Sequence, residues 1–169
     1  MTVINGSGLT TRDRLPIVGM VHQKHRLHGV SYGLAEAGYD IRLKQDILFL
    51  PRENIISLRD GPTIYKESPG RFVLASAIEE FDMPDDLVGV VHDKSTWARQ
   101  GVSVFNTVIE PGWKGFLTLE IVFHGQDRVR LPAGAGIAQV LFHKLFEPAT
   151  YEGKYQNQAD KPVESKWEK

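Results

Sequence analysis

The chain has 169 residues, enough for one domain that buries roughly two-thirds of the surface its unfolded form would expose. Its 20 Lys and Arg residues against 21 Asp and Glu residues give a formal net charge of -1, so neither nucleic acid nor an anionic membrane is an expected partner. With no Cys, disulfides, thiolate metal sites and a cysteine nucleophile are excluded. The first residues lack the apolar core of a signal peptide, and no apolar run has membrane-spanning length, so we expect a cytoplasmic protein.

Short strands separated by Gly and Pro turns dominate the predicted elements. In chain order, the predicted strands cover residues 39–43, 46–50, 71–75, 87–92, 102–106, 116–123, 128–131 and 137–142. Helix signals are limited to a turn or two near residues 10–15 and 94–100. This pattern predicts a single all-β domain, a sandwich or barrel, over residues 1–150. The polar composition of residues 151–169 predicts a mobile C-terminal tail.

Three histidines near the beginning of the chain, in HQKHRLH, have the spacing of a conceivable metal site. They are His22, His25 and His28. Without Cys and without a nearby carboxylate pattern, solvent-facing histidines are the favoured interpretation, so we predict no metal bound by protein side chains.

The stretch HDKSTWARQG follows a predicted strand and has the pattern of a short helical turn. Asp93 or Ser95 would cap it, and Gly101 would end it. Ser95 and Arg99 would then lie on one side of the turn, and Lys94 would lie beside exposed backbone N–H groups, an arrangement suited to phosphates. The alternative is an ordinary connector with solvated charges.

The turn IEPGWKG places a carboxylate, a Pro-Gly bend and Trp113 between two strands. A planar aromatic side chain there can pack against a sugar or base, although a core-facing Trp in a hairpin is the commoner case.

The strand FLTLEIVF carries Glu120 among apolar residues. Period-2 alternation divides the side chains between the two faces of the strand. One face carries Leu117, Leu119, Ile121 and Phe123. The other face carries Phe116, Thr118, Glu120 and Val122. Partial desolvation would raise the pKa of Glu120 toward neutrality, which suits a general base or acid. The alternative is a carboxylate at a subunit contact or paired with an Arg.

Five blocks in order, AGYDIRL, VVHDKSTWARQGVSV, IEPGWKGFLTLEI, LPAGAGIAQVLF and GKYQNQ, together resemble the dCTP deaminases, relatives of the trimeric dUTPases. The resemblance covers residues 31–158. It implies a distorted jelly-roll or β-barrel of the dUTPase-like type, with short helical turns and a polar C-terminal lid. It further implies a homotrimer with active sites between neighbouring chains and a deoxycytidine triphosphate ligand that carries Mg²⁺, with no zinc.

The resemblance also implies roles for single residues. Glu120 matches the catalytic glutamate, and Ser95 and Arg99 match residues that hold the attacking water and the triphosphate. The positions that match substrate-binding residues are Lys94, Thr96, Asn106, Glu110, Trp113, Gln139, Lys154, Tyr155 and Gln158. Several of them depart from the common family residue: Lys94 replaces Arg, Thr96 replaces Ser, Glu110 replaces Asp, and Phe105-Asn106 replaces Thr-Ala close to the base pocket.

Three functions follow from the resemblance, in order of preference. The first is deamination of dCTP to dUTP and ammonia. The second is release of pyrophosphate, alone as in dUTPases or coupled to deamination; the lack of a glycine-rich C-terminal motif argues against a pure dUTPase. The third is a non-catalytic nucleotide-binding regulatory trimer, which the substitutions at positions 94, 106 and 110 leave open.

Overall fold

The computed structural model describes residues 2–167, apart from the side chains of residues 64 and 65. Fourteen strands and two one-turn helices occupy this part of the chain, which confirms the all-β prediction. In chain order they are β1 (Val3–Ile4), α1 (Ser7–Thr10), β2 (Lys24–Leu27), β3 (Val30–Leu34), β4 (Tyr39–Arg42), β5 (Asp46–Leu50), β6 (Ile55–Asp60), β7 (Thr63–Pro69), β8 (Phe72–Asp82), β9 (Leu87–Asp93), α2 (Ser95–Ala98), β10 (Val102–Val104), β11 (Val108–Ile109), β12 (Lys114–Phe123), β13 (Val129–Leu131) and β14 (Gly136–Lys144).

The strands form three antiparallel sheets. The largest has seven strands in the order β11-β9-β14-β4-β3-β2, with β1 also paired to β14. The second is β10-β12-β8, and the third is β13-β5-β6-β7. Their inward faces share one hydrophobic core, in which Tyr39, Phe49, Phe81 and Phe142 are the largest fully buried side chains. Burial of this apolar surface is what holds the three sheets together.

The long β12–β8 ladder confirms the alternation predicted for FLTLEIVF from Leu119 to Phe123, but the prediction was wrong for Leu117, which lines the same cavity as Glu120. Leu119, Ile121 and Phe123 are buried in the core, whereas Glu120 is half-buried on the opposite face. The register shifts between Phe116 and Thr118, which marks a bulge. A bulge bends the strand and redirects side chains, and both Leu117 and Thr118 line the cavity that Glu120 faces.

The sequence prediction misplaced one helical turn and missed six of the strands. The helical turn expected at residues 10–15 lies earlier, at α1, and ends at its C-cap residue Thr11. Arg12 and Arg14 instead form ion pairs with Asp86 and Asp82. The strands β1, β2, β3, β6, β7 and β11 were not predicted.

Candidate active site

Glu120 lies in the second half of β12, opposite Leu74 of β8. Its carboxylate faces a cavity of about 450 Å³. Burial raises the pKa of Glu120, and a hydrogen bond to its own backbone offsets part of that effect. No charged side chain among the described residues contributes to the shift, so the interpretation of Glu120 as half of an Arg pair is not supported. A carboxylic acid with a raised pKa is suited to exchange protons near neutral pH.

The cavity is apolar around Glu120 and polar toward the C-terminal tail. Its lining residues are Phe72, Leu74, Thr107, Val108, Ile109, Glu110, Trp113, Leu117, Thr118, Glu120, Tyr151, Tyr155, Gln158, Val163 and Ser165. The lining therefore includes the carboxylates of Glu110 and Glu120 but, within the described chain, no Lys or Arg. An anionic ligand in this cavity needs cations from elsewhere.

The C-terminal tail packs along β12 and closes one side of the cavity. Gly115 and Gln158 form a parallel β-bridge, in which the Phe116 backbone N–H donates to the Gln158 carbonyl over 3.2 Å. The Thr118 hydroxyl donates to Gln158 Oε1 over 3.2 Å and accepts from the Val163 N–H over 3.0 Å. The composition predicted a mobile tail, but these contacts place it against the strand. Residues 168 and 169 of the predicted tail lie outside the described residues.

Gly115 is required by this close approach. A Cβ at Gly115 would lie 2.5 Å from the Gln158 nitrogen and 2.6 Å from its oxygen, and its φ of 127° disfavours any other residue.

Trp113 is buried and fixes the base of the tail. Its indole Nε1–H donates to the Tyr155 carbonyl over 2.6 Å, and its ring packs against Phe81 at a centroid distance of 6.1 Å. It is 5% exposed, so it faces the core while one edge lines the cavity. Glu110, which precedes this turn, is exposed at the cavity.

Two lysine side chains lie over the Tyr155 ring at the mouth of the cavity. The ammonium groups of Lys154 and Lys166 lie 5.5 and 5.6 Å from the centroid of the Tyr155 ring. Lys166 Nζ donates to the Lys154 carbonyl over 2.8 Å, and the Lys166 N–H donates to the Tyr155 hydroxyl over 2.9 Å. These lysines bring two cations next to the Tyr155 side of the cavity.

The helix α2 carries the second group of predicted residues. Ser95, Thr96 and Arg99 are exposed on it, and none of them lines the Glu120 cavity of the same chain. The predicted cap was wrong, because Lys94 occupies the N-cap position and no side chain caps the helix. Asp93 instead accepts the Val104 N–H over 2.7 Å, which holds β10 to the end of β9. Gly101, with φ of 81°, ends the turn as predicted.

Lys94, which the sequence placed in an arrangement suited to phosphates, is paired with a carboxylate of the same chain. Its ammonium forms an ion pair with Asp40 at 2.5 Å, and its side chain is 12% exposed. Gln139, predicted to bind substrate, donates from Nε2 to the same Asp40 over 3.3 Å.

An exposed apolar patch borders the cavity. We use this name for Phe72, Phe105 and Val108, which are 47%, 54% and 49% exposed. The rings of Phe72 and Phe105 lie 6.1 Å apart, and Phe72 and Val108 also line the cavity. Asn106 is exposed beside this patch and does not line the cavity.

The predicted residues, apart from Asn106 beside the apolar patch, therefore fall into two groups. The first surrounds the cavity: Glu110, Trp113, Glu120, Tyr155 and Gln158, with Lys154 at the rim. The second lies on or next to α2: Lys94, Ser95, Thr96, Arg99 and Gln139. Sequence reasoning did not find Asp40, Tyr151, Val163 or Ser165. For Asp40 the signal was present, since it is a charged residue inside a predicted strand.

Two further features of the described chain concern metals and membranes. His22, His25 and His28 are exposed, and His25 stacks on Tyr32 at 5.6 Å. Across residues 2–167 we find no cluster of three His, Cys, Asp or Glu side chains arranged to hold a metal ion. Neither helix in the same range is long and apolar enough to cross a lipid bilayer.

This three-sheet fold is that of the dUTPase-like proteins. A dUTPase from Staphylococcus bacteriophage 80alpha matches 78% of this chain and 88% of its own length with a TM-score of 0.51 and 15% sequence identity. A mutant dUTPase from phage phi11 of S. aureus, described as coordinating a structural Mg(II) ion, gives a TM-score of 0.51 at 13% identity over 78% of this chain and 89% of its own.

Within that fold the chain belongs to the dCTP deaminase-like family, whose model matches residues 21–145. The dCTP deaminase of Acidobacterium capsulatum is 35% identical over 145 residues, 76% of this chain and 79% of its own length. That of Campylobacter curvus is 37% identical over 147 residues, 76% of this chain and 78% of its own length. These findings confirm the family resemblance and support an enzyme of this kind.

Proposed function

We propose that the protein hydrolyses dCTP to dUTP and ammonia, with Glu120 as the general base and acid. The observation that carries this proposal is a carboxylate with a raised pKa, facing a cavity beside apolar side chains, in a chain of the dCTP deaminase-like family. We also propose a cytoplasmic enzyme that supplies the precursor of thymidine nucleotides.

The proposed reaction begins when Glu120 accepts a proton from a water molecule that attacks C4 of cytosine. Glu120 then passes this proton to N3, and the second proton of the water leaves with the amino group as ammonia, so that dCTP and water become dUTP and ammonia. Ser95 holds the attacking water, and Arg99 stabilises the triphosphate. No metal ligand set is needed for water activation in this scheme, because the carboxylate and positioned donors perform it.

Each active site is proposed to combine two neighbouring chains of a homotrimer. The cavity of one chain contains Glu120 but no Lys or Arg in its described lining, whereas the exposed Arg99 lies on α2, outside that cavity. A neighbouring copy would bring Ser95 and Arg99 over the cavity and cover the exposed apolar patch of Phe72, Phe105 and Val108. Such an arrangement supplies the charge that the cavity lacks.

The triphosphate is proposed to arrive with Mg²⁺ bound to its own oxygen atoms, which are ligands that Mg²⁺ prefers. Lys154 at the cavity mouth then contributes a second cation, and the tail residues Tyr155 and Gln158 cover the nucleotide. Residues 151–169 act as the lid in this proposal. Asn106 lies beside the patch that the neighbouring copy covers and would contact the base from there.

The experiment that tests this proposal is incubation of the purified protein with Mg²⁺ and dCTP, with chromatography of the products and separate assays of ammonia and pyrophosphate. We expect ammonia and dUTP in equal amounts. Absence of ammonia from dCTP, in a preparation that binds the nucleotide, would contradict the deaminase and support the regulatory trimer.

Pyrophosphate release is kept as a second candidate because of Glu110. This exposed second carboxylate lines the same cavity, and a carboxylate can act as the base for a second water molecule. In the same assay, ammonia together with dUMP and pyrophosphate would identify the bifunctional enzyme, and a Glu110→Gln variant that releases ammonia but no pyrophosphate would assign the second step.

A further inference from the structure

A buried carboxylate on β4 connects three elements next to α2. The Asp40 side chain is 2% exposed and accepts from three donors. Lys94 Nζ and the Ser31 hydroxyl reach its Oδ2 at 2.5 and 2.9 Å, and Gln139 Nε2 reaches its Oδ1 at 3.3 Å. A buried charge is tolerated only when it is paired and hydrogen-bonded, and these three donors meet that requirement.

The donors come from three separate parts of the fold. Ser31 lies on β3, Gln139 on β14 directly opposite Asp40, and Lys94 at the end of β9. Asp40 therefore connects Lys94, the N-cap residue of α2, to the central strands of the large sheet.

The helix α2 has few other means of holding its position. It has four residues, and no side chain of the described residues caps it. Apart from Lys94, the side-chain hydrogen bond that we find in this part of the chain between α2 and the large sheet is that of the Trp97 indole, which donates to the Gly136 carbonyl over 2.7 Å. In this region Gly136 also has no room for a side chain, since its Cβ would lie 1.9 Å from the Ser31 carbonyl oxygen. The start of α2 is therefore set by Lys94 and its end by Trp97.

We propose that Asp40 is a positioning residue for the Ser95–Arg99 turn. It holds Lys94 inward, and Lys94 fixes the backbone from which the Ser95 hydroxyl and the Arg99 guanidinium project. Lys94 acts by anchoring this turn and not as a free cation for phosphate. This inference rests on the proposed function, in which Ser95 and Arg99 act on the substrate.

The test is a double-mutant cycle of Asp40→Asn, Lys94→Met and the double variant, with Lys94→Arg as the conservative replacement. Glu36→Gln, which breaks the exposed Lys24–Glu36 pair, is the matched control. The measurements are kcat and KM for dCTP and the hydrogen exchange of backbone amides 95–101.

We expect each single variant to lower kcat by about 10- to 100-fold, the cost of a misplaced catalytic group, with a smaller change in KM. The double variant should be no worse than either single variant, because the two residues act as one tether. Backbone amides 95–101 should exchange faster in Asp40→Asn, in Lys94→Met and in the double variant. Lys94→Arg should keep slow exchange and most of kcat. Glu36→Gln should change neither the exchange nor kcat.

Multiplicative losses in the double variant, or unchanged exchange at residues 95–101, would overturn the proposal. A second result would also overturn it. If Asp40→Asn changes the Mg²⁺ concentration required for activity even when Lys94 is already Met, Asp40 is a metal ligand instead. If the wild-type protein does not deaminate dCTP, the proposed function fails, but the exchange measurement still decides whether Asp40 positions α2. If Asp40→Asn does not fold, Lys94→Met tests the same tether from its other end.

Discussion

At the scale of single residues, Glu120 is set apart by its environment and not by a partner. The strand places it on the mixed face of β12, beside Leu74 and Val108, and burial alone accounts for the direction of its pKa shift. The same desolvation that prepares a carboxylate for proton transfer disfavours its ionised form in the folded protein. Function and stability should therefore respond in opposite directions when Glu120 is replaced.

Replacing Glu120 with Gln should abolish turnover and leave nucleotide binding intact. We expect a loss of at least about 10²- to 10⁴-fold in kcat, the usual contribution of a general acid or base. Steady-state kinetics and calorimetric titration with dCTP measure the two properties separately. Retained turnover in a preparation free of wild-type protein would contradict the role of Glu120.

The same variant should show a pH-dependent gain in stability. Because burial raises the folded-state pKa of Glu120, its contribution to stability is fully present below the unfolded pKa and is lost as pH rises through the folded pKa. The free energy of unfolding of Glu120→Gln relative to wild type should therefore increase with pH across this range. Denaturant unfolding at several pH values measures this difference, and a constant difference would contradict the raised pKa. Burial also raises the pKa of Glu79. Because Glu79 is present in both proteins, its contribution cancels in the difference between their free energies of unfolding.

Catalysis should follow the same ionisation. If Glu120 accepts the first proton, kcat/KM for dCTP should rise with pH through a pKa above the ordinary range of Glu. A pH profile measured on the free enzyme's kcat/KM reports this value. A profile that is flat from the ordinary pKa of Glu upward would assign the proton transfer to another group.

At the scale of elements, the contact between β12 and the tail determines the shape of the cavity. The strand supplies Gly115 and Thr118, and the tail supplies Gln158 and Val163, joined by backbone and side-chain hydrogen bonds. Tyr151 packs against the hydrophobic core and anchors the beginning of the tail. The tail therefore has a core-anchored part and a part that covers the cavity.

Gly115→Ala should displace the tail without unfolding the domain. The added Cβ collides with the Gln158 backbone, so we expect dCTP affinity to fall by about 10-fold, equivalent to one or two lost hydrogen bonds. Calorimetric titration measures affinity, and thermal unfolding checks the fold. Gly61→Ala is the matched control, because that glycine also has positive φ but no atom of the described residues lies within 4 Å of its Cβ. Unchanged affinity in Gly115→Ala would contradict a role for the tail in binding.

Truncation should separate the two parts of the tail. Removal of residues 154–169, which include Lys154, Tyr155 and Gln158, should weaken triphosphate affinity much more than it lowers the unfolding temperature, since this polar segment buries little core. Removal of everything after Pro148 should cost additional stability, because Tyr151, which packs against the core, is lost as well. If the shorter truncation unfolds the protein, the lid interpretation is wrong.

At the scale of the whole molecule, the proposed site is divided between two surfaces of the chain. The cavity with Glu120 and the exposed turn with Arg99 do not meet within one chain, and an exposed apolar patch borders the cavity. A closed ring of copies uses both surfaces at every contact.

Mixing two inactive variants should therefore restore activity. Glu120→Gln lacks the base and Arg99→Ala lacks the cation, but a mixed trimer contains contacts at which both are intact. After random reassembly of an equal mixture, about one quarter of the sites should be complete by the symmetry of a cyclic trimer. The activity of the mixture is compared with that of each variant taken through the same reassembly alone. No recovery, although mass spectrometry shows mixed oligomers, would place the whole site within one chain.

Local pattern in the sequence was sufficient to predict much of this protein. Alternation placed Glu120 on the mixed face of β12, and ordered motifs identified the family and the two sets of candidate residues. The β6–β7 hairpin and the position of α1 were missed, because short strands and single helical turns depend on the elements they pack against more than on their own residues.

The tertiary structure alone decided which of these residues lie together. It joined Lys94 to Asp40, 54 positions earlier in the chain, and Thr118 to Gln158, 40 positions later. It also separated Arg99 from the cavity that Glu120 faces. The physical reason is that side-chain alternation is fixed by the geometry of one strand, whereas pairing of a charge or closure of a cavity depends on strands that the core brings together from distant parts of the sequence.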